Sequence, residues 1–238
     1  MKLVKFFIGV LLLPACAALT LTAWRVAWHL SLGQVLTDSS AWGFVAGYGL
    51  WLAVFAFLPK PMRTYVLGHE LTHALWALMM GARVGGLKVK QTGGQVRTSK
   101  TNWFIALAPY FFPFYAMLFI ALFFIGHAIW NFERYMWVLF FLVGLGWSFH
   151  VTFTLMMLLT TKQPDIQSQG ALFSAVVIYC MNLLTMAIMV AALSRSVTFA
   201  MLARSLGSAL GATYGWTLDK LAALWHYAAA LVRRTRQH

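Results

Sequence analysis

Residues 135–161 read YMWVLFFLVGLGWSFHVTFTLMMLLTT, and in that run the one side chain able to carry a charge is His150. Coiled as a helix at about 1.5 Å per residue, a run of this length covers roughly 40 Å, more than the ~30 Å hydrocarbon core of a bilayer. The pattern repeats along the chain. Residues 6–24, 39–59 and 166–194 also lack acidic and basic side chains, 101–132 holds only His127, and 64–82 is interrupted only by Glu70 and two histidines. These runs predict spans at about 4–23, 41–59, 64–81, 103–127, 135–159 and 171–193. Pro109 and Pro113 should bend the fourth, which is long enough to hold a tilted or re-entrant piece.

Composition agrees with the runs. Of 238 residues, 61% are hydrophobic and 10% charged, against about 25% charged in an average soluble domain. There is too little polar surface here to face water all round, which excludes a soluble globular enzyme, a disordered chain and a disulfide scaffold. The expected fold is an all-α integral membrane protein of about six transmembrane helices, with a short membrane-surface β-hairpin between the third and fourth. The expected location is a bacterial inner (cell) membrane. The net charge of +13 comes from lysines and arginines flanking the apolar runs, not from a basic stripe with stacking aromatics. The partners expected are therefore lipid and membrane protein, not nucleic acid. Cys16 and Cys180 sit inside apolar runs and read as buried thiols.

Three divisions follow: N-terminal spans in 1–60, a membrane core in 61–194 and a basic tail in 195–238. Lys2 and Lys5 before an apolar stretch resemble a signal peptide, but the run reaches Trp24, so a retained first span is preferred. Between the third and fourth spans, Leu87-Lys88-Val89-Lys90 and Gln95-Val96-Arg97-Thr98 alternate on either side of Gly93-Gly94, which predicts the hairpin. In the tail Leu218, Leu221, Trp225, Ala228 and Val232 share one helical face, and Arg233, Arg234 and Arg236 close the chain. That pattern suits an amphipathic helix on an anionic surface. With the hairpin in the cytoplasm its basic residues obey the positive-inside rule, although both termini then carry theirs to the other side.

The chemistry concentrates in the third run, Gly68-His69-Glu70-Leu71-Thr72-His73-Ala74. Residues i and i+4 lie one turn apart on one helix face, so His69 and His73 can both present imidazole nitrogens to one Zn²⁺. Glu70 beside them is placed to take a proton from an attacking water. Composition alone predicts about 0.002 such H-E-x-x-H matches in this chain, so the motif is not a chance product. An ionisable residue inside a span costs on the order of 2.5–3.5 kcal/mol on insertion scales, a cost that a polar patch holding helices together explains less well than a site.

A catalytic zinc commonly takes three protein ligands. Asp38, Glu133 and Asp219 read as a loop acid, a solvated acid beside Arg134, and a surface acid of the tail. Asp165, in Gln163-Pro164-Asp165 just before the sixth span, is the candidate third ligand, with a helix cap as its alternative role. Two crossings separate it from the hairpin, so it should emerge on the hairpin's side of the membrane. His150 is the rival, as alternative ligand, as a group orienting substrate, or as a hydrogen-bonded interior histidine. His127 and His29 fall near span ends and read as interfacial.

These features resemble the site-2 protease family of intramembrane zinc metalloproteases. The likeness rests on His69-Glu70-Leu71-Thr72-His73 within a span, the Gly81-Ala82-Arg83-Val84 turn, the short β segment and the Pro164-Asp165 pair with Gly170, and it covers about 64–193. It implies zinc on His69, His73 and Asp165, Glu70 as the base, and residues 84–98 as an edge to which a substrate strand adds. The family often has Gly where this chain has Thr72, and an Asp-Gly pair where Asp165 is followed by Ile166. The expected activity is hydrolysis of peptide bonds in membrane-protein substrates. The alternative is a catalytically inactive metal-binding scaffold or a metal transporter, although a transporter would spread ionisable residues along several spans. Membrane proteases that take their third ligand from a glutamate on a later helix have here only Glu133 to offer.

Overall fold

Charge-free runs of this length have one way to satisfy their backbone in an apolar setting, which is to coil. The computed structural model, which describes residues 2–29, 39–193 and 196–235, is mostly helical. In chain order its elements are α1 (Lys2–Leu11), α2 (Leu13–His29), α3 (Ser39–Phe57), α4 (Met62–Met79), β1 (Val84–Lys90), β2 (Gly93–Thr98), α5 (Trp103–Leu107), α6 (Phe114–Trp130), α7 (Met136–Thr160), α8 (Pro164–Gln169), α9 (Ala171–Leu193) and α10 (Phe199–Thr235). Short 3-10 turns stand at Ala108–Tyr110 and Glu133–Tyr135.

Among the described residues three helical segments are long and apolar enough to cross a bilayer, at 40–57, 133–160 and 171–192. Two bent pairs, Lys2–Leu11 with Leu13–Trp28 and Trp103–Tyr110 with Phe114–Trp130, bring the number to five. The first bends by 42° at Leu12 and the second by 86° at the Pro109–Pro113 segment, where ring-locked φ and missing N–H groups break the ladder. The expected third span, α4, is not among the five, because Arg63, His69, Glu70 and His73 lower its hydropathy.

The chain divides into two compact units, residues 31–174 and residues 1–30 with 175–238. In the first, α3 packs along α7, and small residues let the backbones meet. A Cβ added at Gly47 would collide with the Phe141 carbonyl, and one at Gly144 with the Phe44 carbonyl. Trp51 Nε1 ties the pair by donating to Thr152 Oγ1 at 2.9 Å. Trp51, Phe149, Phe153, Tyr65 and Val66 form one buried cluster between α3, α4 and α7.

The hairpin is present. β1 and β2 pair antiparallel, with Leu87 opposite Val96 and Lys90 opposite Gly93. The turn falls on Gln91-Thr92, ahead of the glycine pair, and Gly93 takes up φ 145° as the returning strand begins. In the second unit α2 packs along α10. Arg25 Nη1 donates to Ser208 Oγ at 2.8 Å, and the Tyr214 hydroxyl to the Leu11 carbonyl at 2.8 Å. Cys16 and Cys180 remain separate thiols with their sulfurs 3.4 Å apart. The tail is one long helix from Phe199, and Leu218, Leu221, Trp225 and Val232 are exposed along it.

The backbone contact of α3 and α7 sets up a paired test. Gly47→Leu should lower thermal stability in detergent by the 1–3 kcal/mol typical of overpacking. Gly49→Leu, where an added Cβ meets nothing within 4 Å, should leave the melting temperature nearly unchanged. Equal melting temperatures for the two would show that the close approach is unimportant.

Candidate metal centre

The motif helix α4 is held from three sides. The Tyr65 ring stacks on Phe153 with centroids 4.8 Å apart and planes 10° from parallel. The Tyr115 hydroxyl donates to the Thr64 carbonyl at 2.6 Å. Its ring covers Gly68, where an added Cβ would come within 2.8 Å of Cε2. Thr72 is buried and donates back to the Gly68 carbonyl at 2.7 Å, which satisfies its hydroxyl inside the helix. That local bond explains how threonine is tolerated at this position of the motif.

One turn apart on this helix, His69 and His73 face the same atom. Each Nε2 lies 3.5 Å from Asp165 Oδ2. Asp165 arrives on α8, the short helix opened by Pro164 at its first turn. Gln163 occupies the cap position there and makes no side-chain cap bond, while Asp165 in the first turn faces the histidines. The two histidine side chains are 11% and 12% exposed and the Asp165 side chain 30%, so the cluster opens on the aspartate side. Burial would raise the Asp165 carboxyl, but the two imidazoles beside it, when protonated, hold it well below the usual carboxylate range. It is an anion at neutral pH.

The tautomers sharpen this geometry. His73 Nδ1 stands 2.8 Å from the Ile105 carbonyl, which can only accept, so Nδ1 carries the proton. In the neutral ring Nε2 is then a lone pair facing an anionic oxygen, and the contact is favourable when that nitrogen carries either a proton or a metal ion. The separations suit a metal better than a proton: 3.5 Å is long for a hydrogen bond. Donors bound tetrahedrally to zinc at about 2.0–2.2 Å stand roughly 3.3–3.6 Å from one another. His69, His73 and Asp165 offer ligand atoms all within 4.8 Å of each other, and two imidazoles with one carboxylate form a donor set that suits zinc. Ile105 is held in place by Asn102, whose side chain accepts the Ile105 N–H at 2.9 Å and starts α5.

Glu70 is buried on the neighbouring face of α4 and turned toward β2. The Val96 N–H is directed at its carboxylate. A Cβ at Gly94 would come within 2.6 Å of Glu70 Cγ and 2.8 Å of Oε1. Glycine is required there so that the strand can lie against the acid.

The other sequence candidates stand apart. His150 is buried in α7 outside the three-residue group. With His69, Thr72, Phe112 and Phe149 it lines a small cleft. Glu133 is exposed in the 3-10 turn and Asp219 is exposed on α10. Asp38 lies outside the described residues, as does the side chain of His29. His127 accepts the Phe132 N–H at 2.9 Å. The sequence reading missed the Ile105 carbonyl, Tyr110 and the contact role of Gly94. No family model, curated protein or solved structure matches the chain.

The ligand order is testable by metal competition on detergent-purified protein. Asp165→Ala should weaken zinc binding by more than about 100-fold, beyond the 10–100-fold typical of an outer partner. His150→Ala should change it by less than about tenfold. The reverse order would move the ligand role to His150.

Proposed function

We propose that this chain is an intramembrane zinc metalloprotease that hydrolyses peptide bonds of membrane proteins within or near the bilayer. The observation that carries the reading is the convergence of two imidazole Nε2 atoms on one carboxylate oxygen at 3.5 Å, with Glu70 next in sequence to His69 and buried against a strand. The resemblance of the 64–193 region to site-2 proteases supports the same reaction. The finer topology belongs to this proposal as well: α4 is taken as a sixth crossing, its polar turn enclosed by α3, α6 and α7.

A zinc ion held by His69, His73 and Asp165 supplies Lewis acidity toward a water and toward the scissile carbonyl. The chain's own part is to place and move protons. Glu70 accepts a proton from the attacking water and delivers it to the amine nitrogen as the C–N bond breaks, so that its carboxylate is restored. His73 is held to one tautomer by Ile105, which keeps Nε2 free of a proton. A transmembrane substrate has its backbone bonds satisfied internally and must unwind before attack. The β1–β2 hairpin is the surface against which an unwound segment pairs, and Val96 and Gly94 bring that strand beside Glu70.

Three substitutions test the reading. His69→Ala with His73→Ala should remove bound zinc, and one zinc per chain in that double variant would place the site elsewhere. Glu70→Gln should keep the zinc, insert normally and lose roughly 10²–10⁴-fold in cleavage of a membrane-protein substrate. A variant that holds zinc and matches wild type in the cell would favour a metal-binding scaffold or transporter.

The hairpin makes a separate prediction. Pro at Val96 removes the N–H directed at Glu70, and Pro at Val89 removes one on the partner strand. Cleavage should fall about tenfold or more with zinc unchanged, and unchanged turnover in both variants would reduce the segment to a basic loop.

A further inference from the structure

Each ligand of the candidate centre has an outer partner, the Tyr65 hydroxyl standing 3.4 Å from His69 Nδ1, and the partner of Asp165 is a hydroxyl that the reaction as described does not use. Tyr110 closes the 3-10 turn at the 86° bend between α5 and α6, and it is fully buried. Its ring meets the edge of His69 with centroids 5.3 Å apart and planes at 83°. Its hydroxyl lies 3.2 Å from Asp165 Oδ2, the same oxygen that both histidines face. It also lies 3.1 Å from Gln163 Oε1. A hydroxyl has one proton to donate, and between a neutral amide oxygen and a carboxylate the charged oxygen is the stronger acceptor.

We propose that Tyr110 is a positioning residue that donates its hydroxyl proton to Asp165 Oδ2 and so aims that oxygen at His69 and His73. This deepens the zinc reading and rests on it. The carboxylate stands on a six-residue helix that ends at Gly170, φ 97°, and on the side away from the histidines the Tyr110 hydroxyl fixes its rotation. The Tyr110 bond occupies one lone-pair direction of Oδ2 and leaves the other toward the histidines. Gln163 Oε1, at 3.1 Å, is the competing acceptor. The 86° bend has a role in this arrangement, because it carries Tyr110 to the aspartate while Ile105, five residues earlier, reaches His73.

The test is zinc affinity, measured by chelator competition on the full chain in detergent, with thermal melting of the zinc-free protein as the folding control. Tyr110→Phe keeps the ring and removes the donor. It should weaken zinc by 10–100-fold, the range for loss of a partner behind a ligand, with the zinc-free melting temperature nearly unchanged. In an Asp165→Ala background the same change should have no further effect. Affinity within twofold of wild type, or an equal loss in both backgrounds, would overturn the proposal. Gln163→Leu is a second variant that leaves the ring untouched. It should bind zinc as tightly as wild type or more tightly, and a tenfold loss would give the holding role to Gln163 and overturn that of Tyr110. A wild-type chain whose zinc does not depend on His69 and His73 would instead remove the reading on which this one rests.

Discussion

Asp165 Oδ2 sits 3.5 Å from two imidazole nitrogens, and for His73 the ring proton is already committed to the Ile105 carbonyl on the far side. Two imidazole nitrogens and a carboxylate oxygen directed at one small volume call for positive charge among them, carried by protons or by a metal ion. The polar turn of α4, the short helix opened by Pro164 and the bend at 109–113 meet at this point.

The surrounding packing is aromatic and close. Tyr65 on Phe153, Tyr115 over Gly68 and Trp51 against Phe149 fix α4 between α3, α6 and α7. The threonine hydroxyl in the motif turn is consumed locally by Gly68. Such a setting limits water and strengthens whatever electrostatic contacts the site makes. The hairpin adds a polar edge where the helices have none, because strand β2 brings an N–H to a buried acid that would otherwise be costly to keep.

The helices were legible because a charge-free run of 20 or more residues has few alternatives, and 135–161 and 39–59 are such runs. The prolines signalled a bend in 101–132 but not its angle, which depends on what α5 and α6 each pack against. The hairpin was legible from alternation on either side of Gly93-Gly94, while its turn falls just ahead of that pair, on Gln91-Thr92. One of those glycines serves the returning strand, and the other serves a contact with Glu70 that lies far away in sequence. His69, Glu70 and His73 were visible as a motif. Asp165 was reached by counting crossings, and its neighbourhood to both histidines could not be measured that way. Ile105 acts through its backbone carbonyl and leaves no mark in the sequence. Tyr110 is one tyrosine among eight, singled out only by where the bend carries it.

The most direct measurement is zinc K-edge X-ray absorption on the purified full-length chain. The expected spectrum has two imidazole shells and oxygen donors at about 2.0–2.2 Å with no sulfur at about 2.3 Å, and one imidazole shell should disappear in His73→Ala. Zinc held by sulfur, or an imidazole signal that survives loss of both His69 and His73, would contradict the proposal that this cluster is a metal centre.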